Sequence, residues 1–146
     1  MEVLSSRSII TPGDLARSRH FYETTLGLKV YREYGSNNVM TGVVFFLGGG
    51  FLELAGGTGS TASTGSTGST GDKARANTDV GRIRLWLQVP DLRTEETRLR
   101  AAGANITRSG ERMPWGLDEM WLEDPDGVEI LLIEVPSDHP LRRRVD

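Results

Sequence analysis

The chain predicts an α+β fold built from two tandem strand–helix–strand–strand–strand modules. Three observations carry this. Two Asp-Leu pairs stand where helix caps belong, Asp14-Leu15 and Asp91-Leu92, and each follows a short β-prone run. Two glycines, Gly27 and Gly103, close the helices that those caps open. The spacing is also constant: 84 − 7 for the two strand arginines and 91 − 14 for the two caps both give 77. Two caps, two glycine stops and two hairpins in one order are the signature of an internal duplication.

Module one covers residues 1–57. Ser8 to Thr11 is a β-prone run ended by Pro12-Gly13. Asp14 then accepts the free N–H groups of a first helical turn. In DLARSRHFYETTLGL, Leu15, Ser18, Phe21, Tyr22 and Leu26 recur at helical spacing and form one buried stripe. Gly27 fits a left-handed C-terminal position, and Leu28 and Val30 start a strand. Tyr34 to Asn38 reads as a polar bend. Val43 to Leu47 and Phe51 to Leu54 then form a hairpin about Gly48-Gly49-Gly50.

Residues 58–80 form an insert between the modules. Its core, Thr58 to Gly71, is TGSTASTGSTGSTG. Such a stretch buries nothing that would offset the entropy of ordering it, so it reads as a flexible linker or loop, with a pocket lid as the alternative. Module two covers 81–136. Arg84 to Val89 is a strand closed by Pro90, and Asp91 caps DLRTEETRLRAAG, with Leu92, Leu99 and Ala102 inward. A strand opens at Ile106, and Met120 to Leu122 and Glu129 to Val135 form the last hairpin. Its turn is Asp124-Pro125-Asp126-Gly127, where proline presets φ and glycine accepts a positive one. Residues 137–146 are a polar tail that includes Arg142-Arg143-Arg144.

Composition bounds the function. Among 146 residues, 25% are charged and the net charge is −3, which disfavours a nucleic-acid surface needing a basic excess. Cysteine is absent, so no thiolate ligand, thiol nucleophile or disulfide is available. No apolar run suits a signal peptide or a spanning helix. The expectation is a cytoplasmic protein without membrane or nucleic-acid partners. The triple glycine precedes no helix and is not a nucleotide loop. His20 and His139 read as solvent-facing, and no serine or threonine has a histidine relay.

The doubling, with GDLARSRHFY (13–22) leading to Leu26-Gly27-Leu28 and with Asp124-Pro125-Asp126-Gly127 near the end, resembles the vicinal oxygen chelate superfamily. That group includes glyoxalase I, extradiol dioxygenases, fosfomycin-inactivating transferases and bleomycin-resistance proteins. The resemblance implies βαβββ modules in a curved mixed sheet around one cleft, and a homodimer. It also implies a divalent metal at four places, occupied here by Arg7, Glu53, Arg84 and Leu131. A guanidinium has no lone pair to give and leucine offers nothing, so only Glu53 can ligate. The expectation is therefore no metal, no cofactor and no catalytic residue.

Alternation puts Arg84, Trp86 and Gln88 on one face and Arg7, Ile9 and Thr11 on another. By the resemblance these faces line the cleft, where Arg7, Arg84 and Glu53 would meet with a formal sum of +1. Two readings stay open. In one, Glu53 bridges both arginines and closes a vestigial site; in the other, the spare charge anchors an anionic ligand. Trp86, Trp115 and Trp121 would supply flat apolar walls. Pro114-Trp115-Gly116 is similar to the matching stretch of bleomycin-resistance proteins, which sequester an antibiotic without catalysis. The ligand site expected is thus Arg7, Glu53, Arg84, Trp86, Gln88, Trp115 and Trp121, for a small molecule with an anionic and an aromatic part. The alternatives are a glyoxalase-like or dioxygenase-like enzyme with Glu53 as base, and a relative with no ligand.

Overall fold

The computed structural model describes residues 1–56 and 83–140. The expected flexible insert and the triple arginine of the tail lie outside them. The chain divides into two compact units, Met1–Thr70 and Gly71–Asp146. Both repeat one order of elements. In the first, β1 (Arg7–Ile10) leads to α1 (Leu15–His20), then β2 (Val30–Ser36), β3 (Val39–Leu47) and β4 (Gly50–Ala55). In the second, β5 (Arg84–Gln88) leads to α2 (Leu92–Ala101), then β6 (Asn105–Arg112), β7 (Asp118–Glu123) and β8 (Glu129–Glu134). The predicted βαβββ modules are therefore present, as two four-stranded mixed sheets.

The sheet orders are β1-β4-β3-β2 and β5-β8-β7-β6. In each, the first strand runs parallel to the last and the other pairs are antiparallel. This follows from the helix after the first strand. A crossover lets a later strand return alongside it in the same direction, while short turns force antiparallel neighbours.

Both helices begin as the sequence predicts. The Asp14 side chain accepts from Arg17 N at 3.0 Å, and that of Asp91 accepts from Thr94 N at 2.9 Å. In the first helix, Leu26 N donates to Phe21 O at 2.7 Å, a five-residue step, so Phe21–Thr25 forms a π-helical turn. Gly27 then takes φ +85° and Gly103 takes φ +75°, the left-handed stops expected of them.

The helix α1 packs on β3 and β4, and α2 on β6, β7 and β8. Tyr22, Phe45, Leu52 and Leu54 are fully buried in the first core. Leu99, Met120, Leu122 and Ile130 are fully buried in the second. The strand residues between these point to the opposite face of each sheet, and those faces carry the candidate site.

Two expectations need correction. Ala102 is exposed rather than inward, because α2 ends at Ala101 and the chain is already turning toward Gly103. Tyr34 to Asn38 is not a bend. The strand β2 runs to Ser36, and the turn is only Asn37-Asn38, both with positive φ (51° and 60°). Asparagine tolerates that conformation, and two such residues match the twist of a hairpin. Tyr34 is thereby kept in the sheet.

Candidate functional site

In the first unit, Arg7 and Glu53 sit on neighbouring parallel strands, with Arg7 opposite Phe51 and Ile9 opposite Glu53. The guanidinium therefore reaches diagonally. Arg7 NH1 donates to Glu53 Oε2 at 2.7 Å. The other carboxylate oxygen is also taken, because the Tyr34 hydroxyl donates to Glu53 Oε1 at 2.5 Å. Tyr34 comes close enough because it faces Gly42 across the β2–β3 pair, and an added Cβ there would lie 2.1 Å from the phenol ring. The Tyr34 hydrogen bond, followed by those from Arg7, holds the Glu53 carboxyl below the usual carboxylate range; burial opposes this, and Arg7 and Arg32 add their charge. The same bond to Glu53, with burial, pushes the Tyr34 phenol up.

Beside this trio lies an aromatic cluster that sequence reasoning missed. Tyr31 meets Phe46 at 5.0 Å and Phe51 at 4.9 Å between ring centroids, and Phe46 meets Phe51 at 5.8 Å. Arg7 stands 5.7 Å above the Phe51 ring. Tyr31 and Phe46 are each 48% exposed, far more than such side chains show in a core. A signal was available. Phe51 lies two residues before Glu53 and shares its face, and the glycine turn sets Phe46 opposite Phe51.

In the second unit, Arg84 donates from Nε to Glu129 Oε2 at 2.5 Å, with Glu129 directly opposite it in the register. The carboxylate paired with Arg84 is thus on its own sheet. Each arginine of the expected site has a carboxylate partner within its own unit, Glu53 for Arg7 and Glu129 for Arg84. Residue 129 was missed because partner choice follows register. The duplication places Glu129 where the first unit has Phe51, and Leu131 where it has Glu53.

The indoles stand as alternation predicts. Met120 and Leu122 are buried toward the helix, and Trp121 faces the other way. Arg84 lies 5.4 Å and Arg108 5.9 Å from the Trp121 ring centre, close enough for cation–π attraction. Trp86 is opposite Leu131, which is opposite Trp121, so both indoles share a face across one strand. Trp86 is half-exposed, and Gln88 is exposed on the same face. Trp115 joins through Glu119: Trp115 Nε1 donates to Oε1 at 2.6 Å and Trp121 Nε1 to Oε2 at 3.4 Å.

His20 is exposed, as expected. His139 is only partly solvent-facing. The tail turns back through His139 N to Pro136 O, and His139 Nε2 lies 3.3 Å from the Trp115 carbonyl.

The family's metal does not fit these residues. Both Glu53 oxygens are engaged by Arg7 and Tyr34, Arg84 is a cation, and Leu131 has no donor atom. Among the described residues, no group of three or more His, Asp or Glu could hold an ion.

Comparison with known proteins agrees with this architecture. The family model of the Glyoxalase/Bleomycin resistance protein/Dioxygenase superfamily matches residues 7–132, and the chain belongs to that superfamily. Solved structures share the fold. TioX from Micromonospora sp. ML1 is 17% identical, with a TM-score of 0.67 over 90% of this chain and 98% of its own. UcmS2 is 19% identical, with a TM-score of 0.69 over 91% and 98%. A superfamily member from Sphaerobacter thermophilus DSM 20745 is 23% identical, with a TM-score of 0.64 over 91% and 98%. No curated protein matches the chain. Membership fits either a small-molecule binding or an enzymatic role, and among the described residues no helix is long and apolar enough to cross a membrane.

Proposed function

We propose that the protein is a metal-independent binder of a planar small molecule bearing an anionic group, sequestering a natural product or antibiotic in the cytoplasm. The observation that carries this reading is the company of arginine and open aromatic rings. Arg7 stands over Phe51 beside Tyr31 and Phe46, and Arg84 over Trp121 beside Trp86. Flat apolar surface with a few fixed polar groups is how small-molecule sites are usually built. Each arginine is oriented by a carboxylate, Arg7 by Glu53 and Arg84 by Glu129. The Arg84 side chain stays 58% exposed and meets Glu129 through Nε, and in this reading its terminal nitrogens donate to a ligand's carboxylate. In this reading two copies of the chain form a homodimer. Gln88 and Trp115 complete the ligand set. The lowered Glu53 pKa favours binding over turnover, because a carboxylate held ionised is a weak base.

A fluorescence screen tests the proposal. Wild type, Arg7→Ala and Arg84→Ala are titrated with 2-naphthoate, other aromatic carboxylates and their uncharged amides. The reading expects tryptophan quenching by the acids, with a loss of about ten- to a hundredfold in affinity in at least one variant, since a charge-assisted hydrogen bond contributes about 1.5–3 kcal/mol. Equal binding of acids and amides by all three proteins removes the anchoring role.

A further inference from the structure

We propose that Glu119 is a positioning residue of the ligand site, its carboxylate gripping the indole N–H groups of Trp115 and Trp121 and so setting the ring planes on which an aromatic ligand stacks. The inference rests on the binding reading above and adds a residue to it.

Glu119 is only 5% exposed, and both of its oxygens accept, at 2.6 Å from Trp115 and 3.4 Å from Trp121. Among the described residues it has no cationic partner. Burying a carboxylate on two neutral donors is an expensive way to pack a strand, because an apolar side chain would avoid the desolvation. What the arrangement achieves is orientation. Trp115 remains 56% exposed, yet its one polar atom is committed to Glu119, so the ring is held while its faces stay open. An aromatic ring immobilised before binding loses less entropy when a ligand stacks on it. The loop is braced from its other side: Gly116 takes φ +90°, and a Cβ there would meet the His139 ring at 3.2 Å.

The test uses the full chain with 15N-labelled tryptophan. Three indole N–H resonances are expected, one per tryptophan. Glu119→Gln should shift the signals of Trp115 and Trp121 and leave that of Trp86 in place. Affinity for 2-naphthoate should fall about tenfold in Glu119→Gln. Trp115→Phe keeps a smaller ring on an exposed loop and removes the donor together with the five-membered half of the indole. It should reproduce most of that loss, and the double variant should lose less than the product of the two. Indole signals that shift no more than Trp86's overturn the clamp. Signals that shift with unchanged 2-naphthoate affinity overturn the positioning role. A wild type that fails to bind 2-naphthoate overturns this role together with the binding reading. The indole shifts then separate the two failures, because they report the clamp without any ligand.

Discussion

Glu53 has two oxygens and two partners, and this balance governs how the first sheet responds to pH. Its carboxyl is held below the ordinary range, first by the Tyr34 hydroxyl and then by Arg7. The folded protein therefore binds a proton there less readily than the unfolded chain. Its contribution to stability is present above the unfolded value of about 4.3 and is lost as pH falls through the depressed folded value. Tyr34 works in the opposite sense, since its phenol is pushed up. That contribution is present below about pH 10 and is lost as pH rises through the raised folded value. Tyr34→Phe should cost about 1–2 kcal/mol at neutral pH. It should also flatten both the acid and alkaline limbs of melting temperature against pH. Unchanged limbs would show that the hydroxyl is not the group setting the Glu53 pKa. Gly42→Ala is expected to imitate it, because the new methyl takes the space of the Tyr34 ring and drives the hydroxyl off Glu53; the tyrosine's near-ultraviolet titration would report the move.

Turns and helices carry the next level of predictions. The last hairpin depends on Asp124, a buried side chain whose Oδ1 accepts from Asp126 N and Val128 N, both at 2.8 Å. Removing it leaves two backbone donors in a poorly hydrated turn, so Asp124→Ala should cost about 2–3 kcal/mol. Asp124→Asn keeps an acceptor and should cost less. Urea denaturation midpoints check the order, and equal costs would show the turn held by other contacts. Leu99 is fully buried on α2, and Leu99→Ala should cost about 2–5 kcal/mol through lost burial and the remaining cavity. Much of this level could be read before any coordinates. Asp14, Gly27, Asp91, Gly103 and Gly127 act through neighbours within a few residues, so spacing alone reveals them. The bend misread at Tyr34 to Asn38 shows the limit. Polar composition suggested a loop, yet pairing with β3 held Tyr34 and Ser36 in the strand, a long-range effect that outweighs weak local preference.

Across the molecule, the duplication repeats the scaffold and diverges at the site. Both sheets have the same strand order, but Glu53 is matched by Leu131, and Phe51 by Glu129. One half thus pairs its arginine diagonally and the other directly across. Of the residues at the family's four metal positions only Glu53 carries a ligating group, and both of its oxygens are engaged. Protein purified without chelator should carry less than stoichiometric zinc, iron, nickel or manganese, and EDTA should leave its melting temperature unchanged. Elemental analysis that finds one metal per chain would reverse the ligand assignment. Light scattering should give a particle of two chains.

Strand, helix, stop and turn could be written down from the residues in order, because each depends on periodicity and on backbone conformations that particular side chains permit. So could the side of its strand to which Arg7, Arg84, Trp86 or Trp121 points, since alternation is a property of an extended chain. Which group each of them meets there was not in the spacing. Glu129 rather than another carboxylate takes Arg84, Tyr34 shares Glu53, and Glu119 ties two indoles together. Those choices follow from the register of strands distant in sequence and from competition among side chains for the same partner. Such contacts exist only once the strands of each sheet have paired.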